Sequence, residues 1–557
     1  MLTVLLSILL SIYRPPVAYE ISLAGNFGEP RPHHFHGGLD IKTDGVEGKP
    51  IYSIGDGYVS RVTCGKYGFG NAVYVTHPEG YTSVYCHLRS FTPRIKAALR
   101  RYQYAHQTSE ADATFSPLEC PVSQGQLIAL SGNTGHSTGP HLHLEIHDTE
   151  TGDMLDPLEF IGDFINDTVP PVIHGLMAYP QAGEGVFNGK AGKQTFSARG
   201  ARFTAWGKVG FGVRADDYMQ DAPHHYGIRE TVFLVDGEEY FRAVVNRIPS
   251  ESNRFVNSWG DYDYWNHRRT WYMKSFIEPG NSLSILQAPE HRGIVDFSEE
   301  RDYQLEYILR DYKGNETRCT FTVRGEKSKI SGRLVDTFQP SDAQGKSSLI
   351  SRTFRWNQTN AYACPGVQLI VPYGLLAADV IVRPELEECS EALSDRYRFT
   401  PSSCPLLTDG EISIYARAEN LGADDVVREE IDPSKFYVSA NGKYAGGIYE
   451  RGWVTGQIRD LGATFELAYD DTPPTIEPVS LGERIALRLS DKQSGVASYT
   501  ATIDGRFVVF DSMDKSPLVV CQLDETPIKK TGKAHRLVFS ATDYRDNTKT
   551  YETDIIY

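Results

Sequence analysis

Short alternations of apolar and polar residues recur from about residue 20 to residue 160. Tyr58-Val-Ser-Arg-Val-Thr63, Ala72-Val-Tyr-Val-Thr76 and Leu142-His-Leu-Glu-Ile146 put every second side chain on one face, the period of a β-strand. One segment breaks this pattern. Thr92-Pro-Arg-Ile-Lys-Ala-Ala-Leu-Arg-Arg-Tyr-Gln-Tyr104 opens with a Thr suited to an N-cap and a Pro suited to the first helical position. Good helix formers follow, which predicts a short helix inserted between strands. The spacing in Pro140-His141-Leu142-His143-Leu144-Glu145-Ile146 sends Leu142, Leu144 and Ile146 into a core. It leaves His141, His143 and Glu145 together on the opposite face.

Beyond residue 165 the chain repeats itself. Asp167-Thr-Val-Pro-Pro171 is followed by Gly227-Ile228, by Asp236-Gly237 nine residues on, and by Asp311-Tyr-Lys-Gly-Asn315. Asp471-Thr-Pro-Pro474 is followed by Gly495-Val496, again Asp504-Gly505 nine residues on, and Asp543-Tyr-Arg-Asp-Asn547. Each Asp-Gly lies between β-rich runs, a hairpin signal, and the shared order reads as an internal repeat. The first copy is longer, with an aromatic insertion around Tyr262-Asp-Tyr-Trp-Asn-His-Arg-Arg-Thr-Trp-Tyr272. Between the copies, Val367-Gln-Leu-Ile-Val371 and Phe436-Tyr-Val-Ser-Ala440 are further candidate strands. The expected fold is mostly β: an N-terminal antiparallel β-sheet domain, then about three β-sandwich-like, immunoglobulin-like modules. Their expected bounds are 19–165, 166–328, 329–470 and 471–557, with an inserted helical segment at 90–121.

A chain of 557 residues exceeds what one hydrophobic core serves, in keeping with several domains. Abundant Tyr (32), Phe (25), Gly (50) and Pro (30) suit short strands joined by turns. The net charge of −16 argues against a nucleic-acid partner, which needs clustered Lys and Arg. Residues 1–18 carry a short apolar run resembling the core of a secretory signal, with cleavage expected near Ala18 and export to the periplasm, cell envelope or exterior. No later stretch is long and apolar enough for a membrane helix, and no Cys follows the run to carry a lipid anchor. The eight cysteines form no Cys-x-x-Cys pair. In an exported chain Cys364, Cys389 and Cys404, close in sequence, are the ones expected to pair among themselves.

The candidate chemistry lies in the first domain. His36-Gly-Gly-Leu-Asp40 sets an imidazole and a carboxylate four apart, ahead of an apolar strand start at Ile41. A catalytic zinc site takes three such ligands and leaves a fourth position open. His36, Asp40 and one histidine of the His141/His143 pair supply that set, and Tyr85-Cys-His87 adds a histidine at a strand end. With Pro50-Ile-Tyr-Ser-Ile-Gly-Asp-Gly-Tyr-Val59, Gly68-Phe-Gly-Asn-Ala-Val-Tyr-Val75 and Gly132-Asn-Thr-Gly-His-Ser-Thr-Gly-Pro-His-Leu-His143, these blocks resemble the lysostaphin/LytM-type zinc endopeptidases. The resemblance covers about residues 21–148.

That resemblance implies His36, Asp40 and His143 as ligands of one zinc ion per chain, and His87 and His141 as the catalytic pair beside it. It implies an endopeptidase acting on peptidoglycan stem peptides or cross-bridges. The later modules would then position the enzyme on the wall or on other envelope proteins. Glu145 is placed either to orient a ligand from outside or to stand as a surface carboxylate, and the 90–121 segment is expected to form a wall or lid of the groove. His33, His34, His77, His136 and His147 are read as polar surface positions. The alternative is a non-catalytic scaffold or cell-wall amidase activator on the same fold; known degenerate relatives of that kind lose metal ligands, whereas all five polar residues are present here.

Overall fold

The computed structural model describes residues 12–198, 202–220, 223–327, 350–422, 431–513 and 515–557. The first domain contains strands β1 (Leu23–Gly25), β2 (Gly38–Lys42), β3 (Gly57–Cys64), β4 (Ala72–Thr76) and β5 (Tyr81–Cys86). Helix α1 (Pro93–His106) and strands β6 (Ala111–Thr114) and β7 (His141–Asp148) follow. These strands form one antiparallel sheet in the order β1-β2-β7-β5-β4-β3-β6. The alternation read in the sequence decides its faces: Leu142, Leu144 and Ile146 are buried in the core with Leu39, Ile41, Val73 and Val75. Ile51 and Ile128 belong to the same core and come from a second, three-stranded sheet of Pro50–Tyr52, Leu127–Leu130 and Ser90–Phe91.

The predicted helix forms with Pro93 at its start and ends on Gln107 in the left-handed conformation. Thr92 holds the N-cap position with extended backbone but makes no side-chain cap bond. Of the stretch read as a signal, residues 1–11 lie outside the described residues. Tyr13 and Val17 are buried in the first domain's core, Arg14 N donates to Ile54 O, and Tyr52 N donates to Pro16 O. A cut near Ala18 would remove these contacts, and one ahead of Tyr13 would keep them. All eight cysteines are free thiols, so the pairing expected among Cys364, Cys389 and Cys404 is not formed. Close spacing in sequence did not bring their side chains into bonding geometry.

The long strands Val172–Phe187 and Phe203–Asp216 pair along most of their length, with register shifts at Ile173/Gly175 and Pro180/Gly185. A parallel contact between Phe203–Ala205 and Val323–Gly325 joins them to the rest of the module, giving one continuous ten-stranded sheet around Phe187, Phe211, Phe233 and Phe241. The middle module has two five-stranded sheets, and both candidate strands, Val367–Val371 and Phe436–Ala440, are in them. The last module has two four-stranded sheets.

The repeat is visible in strand order. Glu230–Val235, Glu238–Val244, Asp302–Arg310 and Glu316–Gly325 are connected in the same way as Val496–Ile503, Arg506–Phe507, Ala534–Asp543 and Thr548–Ile556. In both copies the Asp-Gly turn has two residues with positive φ (53° and 85°; 51° and 74°), the geometry that Asp-Gly favours. Oδ1 of Asp236 accepts from Gln304 N, and Oδ1 of Asp504 accepts from Arg536 N, each at 2.8 Å.

The four units close a ring. The first domain packs on the first module through Asn26–Gly227, Tyr226–Leu23 and Arg229–Asp156. Arg254–Asp409 joins the first module to the middle one, and Arg545 binds the carbonyls of Ser434 and Gly447 to join the last two. The last module returns to the first domain on α1. Arg100 pairs with Asp511, Phe510 N donates to Ser109 Oγ at 3.1 Å, and the Tyr104 ring meets Phe507 edge-on.

Candidate active site

Strand register assembles the site. In the antiparallel pair of β2 and β7, Asp40 stands directly opposite His143, and on the other side of β7 His143 stands opposite Cys86. His36 precedes β2, while His87 follows β5 at a left-handed residue (φ 60°) that ends the strand. Five residues from three chain segments therefore meet on one face. Nε2 of His36, Oδ1 of Asp40 and Nδ1 of His143 lie 2.9, 3.0 and 2.7 Å from one another. Nε2 of His141 is 3.3 Å from the same Asp40 oxygen. The ring centroid of His87 is 4.9 Å from that of His141 and 5.7 Å from that of His143.

Partners outside this group fix which atoms point inward. Nδ1 of His36 lies 2.6 Å from Asn26 O, and Nε2 of His143 lies 2.8 Å from Glu145 Oε1. Each outer nitrogen thus carries the proton, leaving the inner one with a lone pair. Nδ1 of His87 lies 2.8 Å from Thr134 O, and Nδ1 of His141 lies 2.8 Å from Gly139 O, so both present Nε2 to the centre. Two nitrogens and one carboxylate oxygen converge with lone pairs inward and outer atoms tied. That donor set fits zinc with room for further ligands.

Burial lowers His36 to about 4 and His87 to about 3, so both rings are neutral near pH 7. Burial would raise Asp40, but the imidazoles of His36, His141 and His143 around it hold it well below the carboxylate range. Burial would lower His143, yet bonds to Asp40 and Glu145 outweigh it and push it up to about 9.

Several supporting residues carried no usable sequence signal. Arg31 donates to the second oxygen of Asp40 at 2.8 Å, and the Phe69 ring stacks on His143. His147, read as a surface position, lies 2.6 Å from the Glu145 oxygen not used by His143. It continues a chain His143–Glu145–His147 along one strand face, for which the period-two spacing was the only hint. His77 is a correction. It is 3% exposed, with Nδ1 2.7 Å from Asp56 O and Nε2 2.8 Å from Ser83 Oγ, because its turn folds back under the sheet. His33, His34 and His136 are exposed, and the last two line the cleft.

The cleft over the histidines has a volume of about 1040 Å³. One side comes from the first module, through His224, Ser250 and Asn253. The inserted segment 90–121 contributes nothing to its lining, contrary to the expectation of a wall or lid. Its helix is turned to the far side, where its Lys and Arg side chains meet acidic residues of the last module.

A model of peptidase family M23 matches residues 34–103 and 101–157, the stretch that carries all five residues. The N-terminal region is a peptidase family M23 domain, of the LytM/lysostaphin type. A Zu5-like domain model matches residues 351–470, the middle module. The M23 region is 37% identical over 131 residues to an uncharacterized metalloprotease of Haemophilus influenzae, covering 24% of this chain and 21% of the relative. It is 33% identical over 139 residues to the peptidoglycan DD-endopeptidase ShyA of Vibrio cholerae, covering 24% and 26%. A zinc-containing peptidase of Vibrio cholerae with a solved structure is 30% identical over 24% of this chain and 36% of that one, with a TM-score of 0.19. The chain thus spans about a quarter of the length of the curated relatives it matches.

Proposed function

We propose that the M23 domain is an active zinc-dependent endopeptidase that hydrolyses peptide bonds of peptidoglycan stem peptides or cross-bridges. The observation that carries this reading is the convergence of His36 Nε2, Asp40 Oδ1 and His143 Nδ1 within 3.0 Å, with His87 and His141 beside them. The relatives named as peptidoglycan DD-endopeptidases support the substrate class.

His36, Asp40 and His143 would hold one zinc ion. Zinc there supplies Lewis acidity, polarising a peptide carbonyl and acidifying water toward a pKa of about 7. The chain's own residues do the rest. Neutral His87, with its lone pair on Nε2 and Nδ1 anchored on Thr134 O, can accept a proton from attacking water. His141, anchored on Gly139 O, holds its Nε2 at the centre, where the ring, once it has taken up a proton, can stabilise a developing oxyanion or protonate the leaving amine. Glu145 and Asn26 O keep the two ligand imidazoles oriented. An open cleft with one wall from the first module suits an extended, flexible peptide. Export fits such a substrate, and the β modules would position the domain on the wall or on an envelope partner.

The test is digestion of purified peptidoglycan by the zinc-loaded chain, with mass spectrometry of the fragments. Release of peptides cut within stems or cross-bridges is the expected result. Zinc bound at one per chain without any cleavage would favour the scaffold reading instead.

A further inference from the structure

A second group of convergent oxygens lies outside the peptidase site, where the M23 domain hands over to the first module. Asp167 opens the Pro-Pro linker, Asp217 follows strand Phe203–Asp216, and Asp311 follows strand Asp302–Arg310. One carboxylate oxygen from each lies within 4.8 Å of the others. All three residues are buried, with exposures of 7%, 3% and 4%.

Lys313 is near enough to draw Asp167 down, but burial outweighs it. Among the described residues no ion pair reaches any of the three. Lys313 is turned to the carbonyl of Gly162, and Arg229 is paired with Asp156 and Glu159. Asp167 accepts from Val169 N at 3.0 Å, and Asp311 accepts from Asn315 N and Nδ2 at 2.9 and 2.6 Å. Oδ1 of Asp217 is buried and receives no hydrogen bond. A buried carboxylate oxygen without a partner is costly unless a cation or a proton joins it. Beside this group Gln220, whose amide nitrogen bonds to Thr168, leaves its own buried Oε1 without a partner. A cavity of about 10 Å³, about one water-sized sphere, is lined by Asp167 and Asp217 together with the Asp156–Arg229 pair, while Asp311 lies outside its lining.

We propose that Asp167, Asp217 and Asp311 hold one hard divalent cation of the calcium class at the junction of the peptidase domain and the first module. The donor set is all oxygen, with neither His nor Cys, which selects calcium or a similar hard ion over zinc. The repeat supplies an internal contrast. Asp470, Asp491 and Asp543 occupy the matching place before and within the last module. There Ser494 donates from N and Oγ to Asp470, and Gln493 and Gly495 donate to a half-buried Asp491. Hydrogen bonds satisfy that cluster, so the assignment is confined to the first.

This site is independent of the peptidase reading, and its test does not use activity. The zinc-saturated full chain is titrated with calcium chloride by calorimetry, alongside thermal melts. Wild type is expected to bind calcium with a rise in melting temperature. Asp217→Asn should lose one equivalent, or at least tenfold in affinity, while Asp491→Asn keeps it. Asp167→Asn is the second variant, and retained zinc reports that the peptidase domain is folded. Absence of calcium binding by the wild type overturns the proposal, as does unchanged stoichiometry and affinity in the two cluster variants.

Discussion

Oδ1 of Asp40 lies 2.7 Å from Nδ1 of His143 because the two residues stand opposite each other in neighbouring antiparallel strands. A one-residue slip between β2 and β7 would turn one of them to the core face and dismantle the site. Register and metal binding are therefore tied. His36→Ala, Asp40→Ala and His143→Ala are each expected to strip zinc, measured by metal analysis of the purified variants. Full occupancy in all three would sink the ligand assignment.

His87 and His141 should behave differently. Replacing either by Ala is expected to leave zinc bound and slow peptidoglycan cleavage by about a hundredfold or more, the scale of a lost positioned acid or base. Metal content and turnover, measured on the same preparation, decide the point. Near-normal cleavage by both variants would remove them from the reaction.

Glu145 touches no substrate in this reading and acts through His143. Glu145→Gln keeps the shape but weakens the hold on the imidazole, and zinc affinity should fall by about 10–100-fold. Competition with a chelator of known strength measures it. An unchanged affinity would mean that the backbone alone orients His143.

His77 gives a pH prediction. Burial lowers its pKa from the usual value near 6.5, so the unfolded chain binds the proton that the folded chain refuses. Its contribution to stability is fully present above about 6.5 and is lost as pH falls through the folded value. Melting temperature should drop between pH 7 and pH 5 in wild type, and less steeply in His77→Asn. Parallel curves for the two proteins would refute the contribution.

Period-two patterning made the strands and the shared face of His141, His143 and Glu145 legible, because alternation alone decides which side chains meet a core. The hairpins at Asp236-Gly237 and Asp504-Gly505 were legible for a local reason as well, the positive φ that Asp-Gly tolerates. What pairs with what was not. Arg31 reaches Asp40 through a chain bend that no periodicity records, and His77-Pro-Glu-Gly80 reads as an exposed turn although its first ring is tucked under the sheet. The destination of α1 was also hidden, since its partners Asp511 and Glu525 lie more than 400 residues away.

That separation makes an order of events for the chain as it is made and moved. The M23 domain can assemble its sheet from residues close in sequence, but the face of α1 bearing Lys96 and Arg100 meets its acidic partners only after Glu525 has been synthesised. Contacts across such a span are slow to form and leave a surface waiting. The charged character of that face keeps it soluble in the interval, where an apolar one would invite aggregation. The first unit to fold is therefore the last to be fully enclosed.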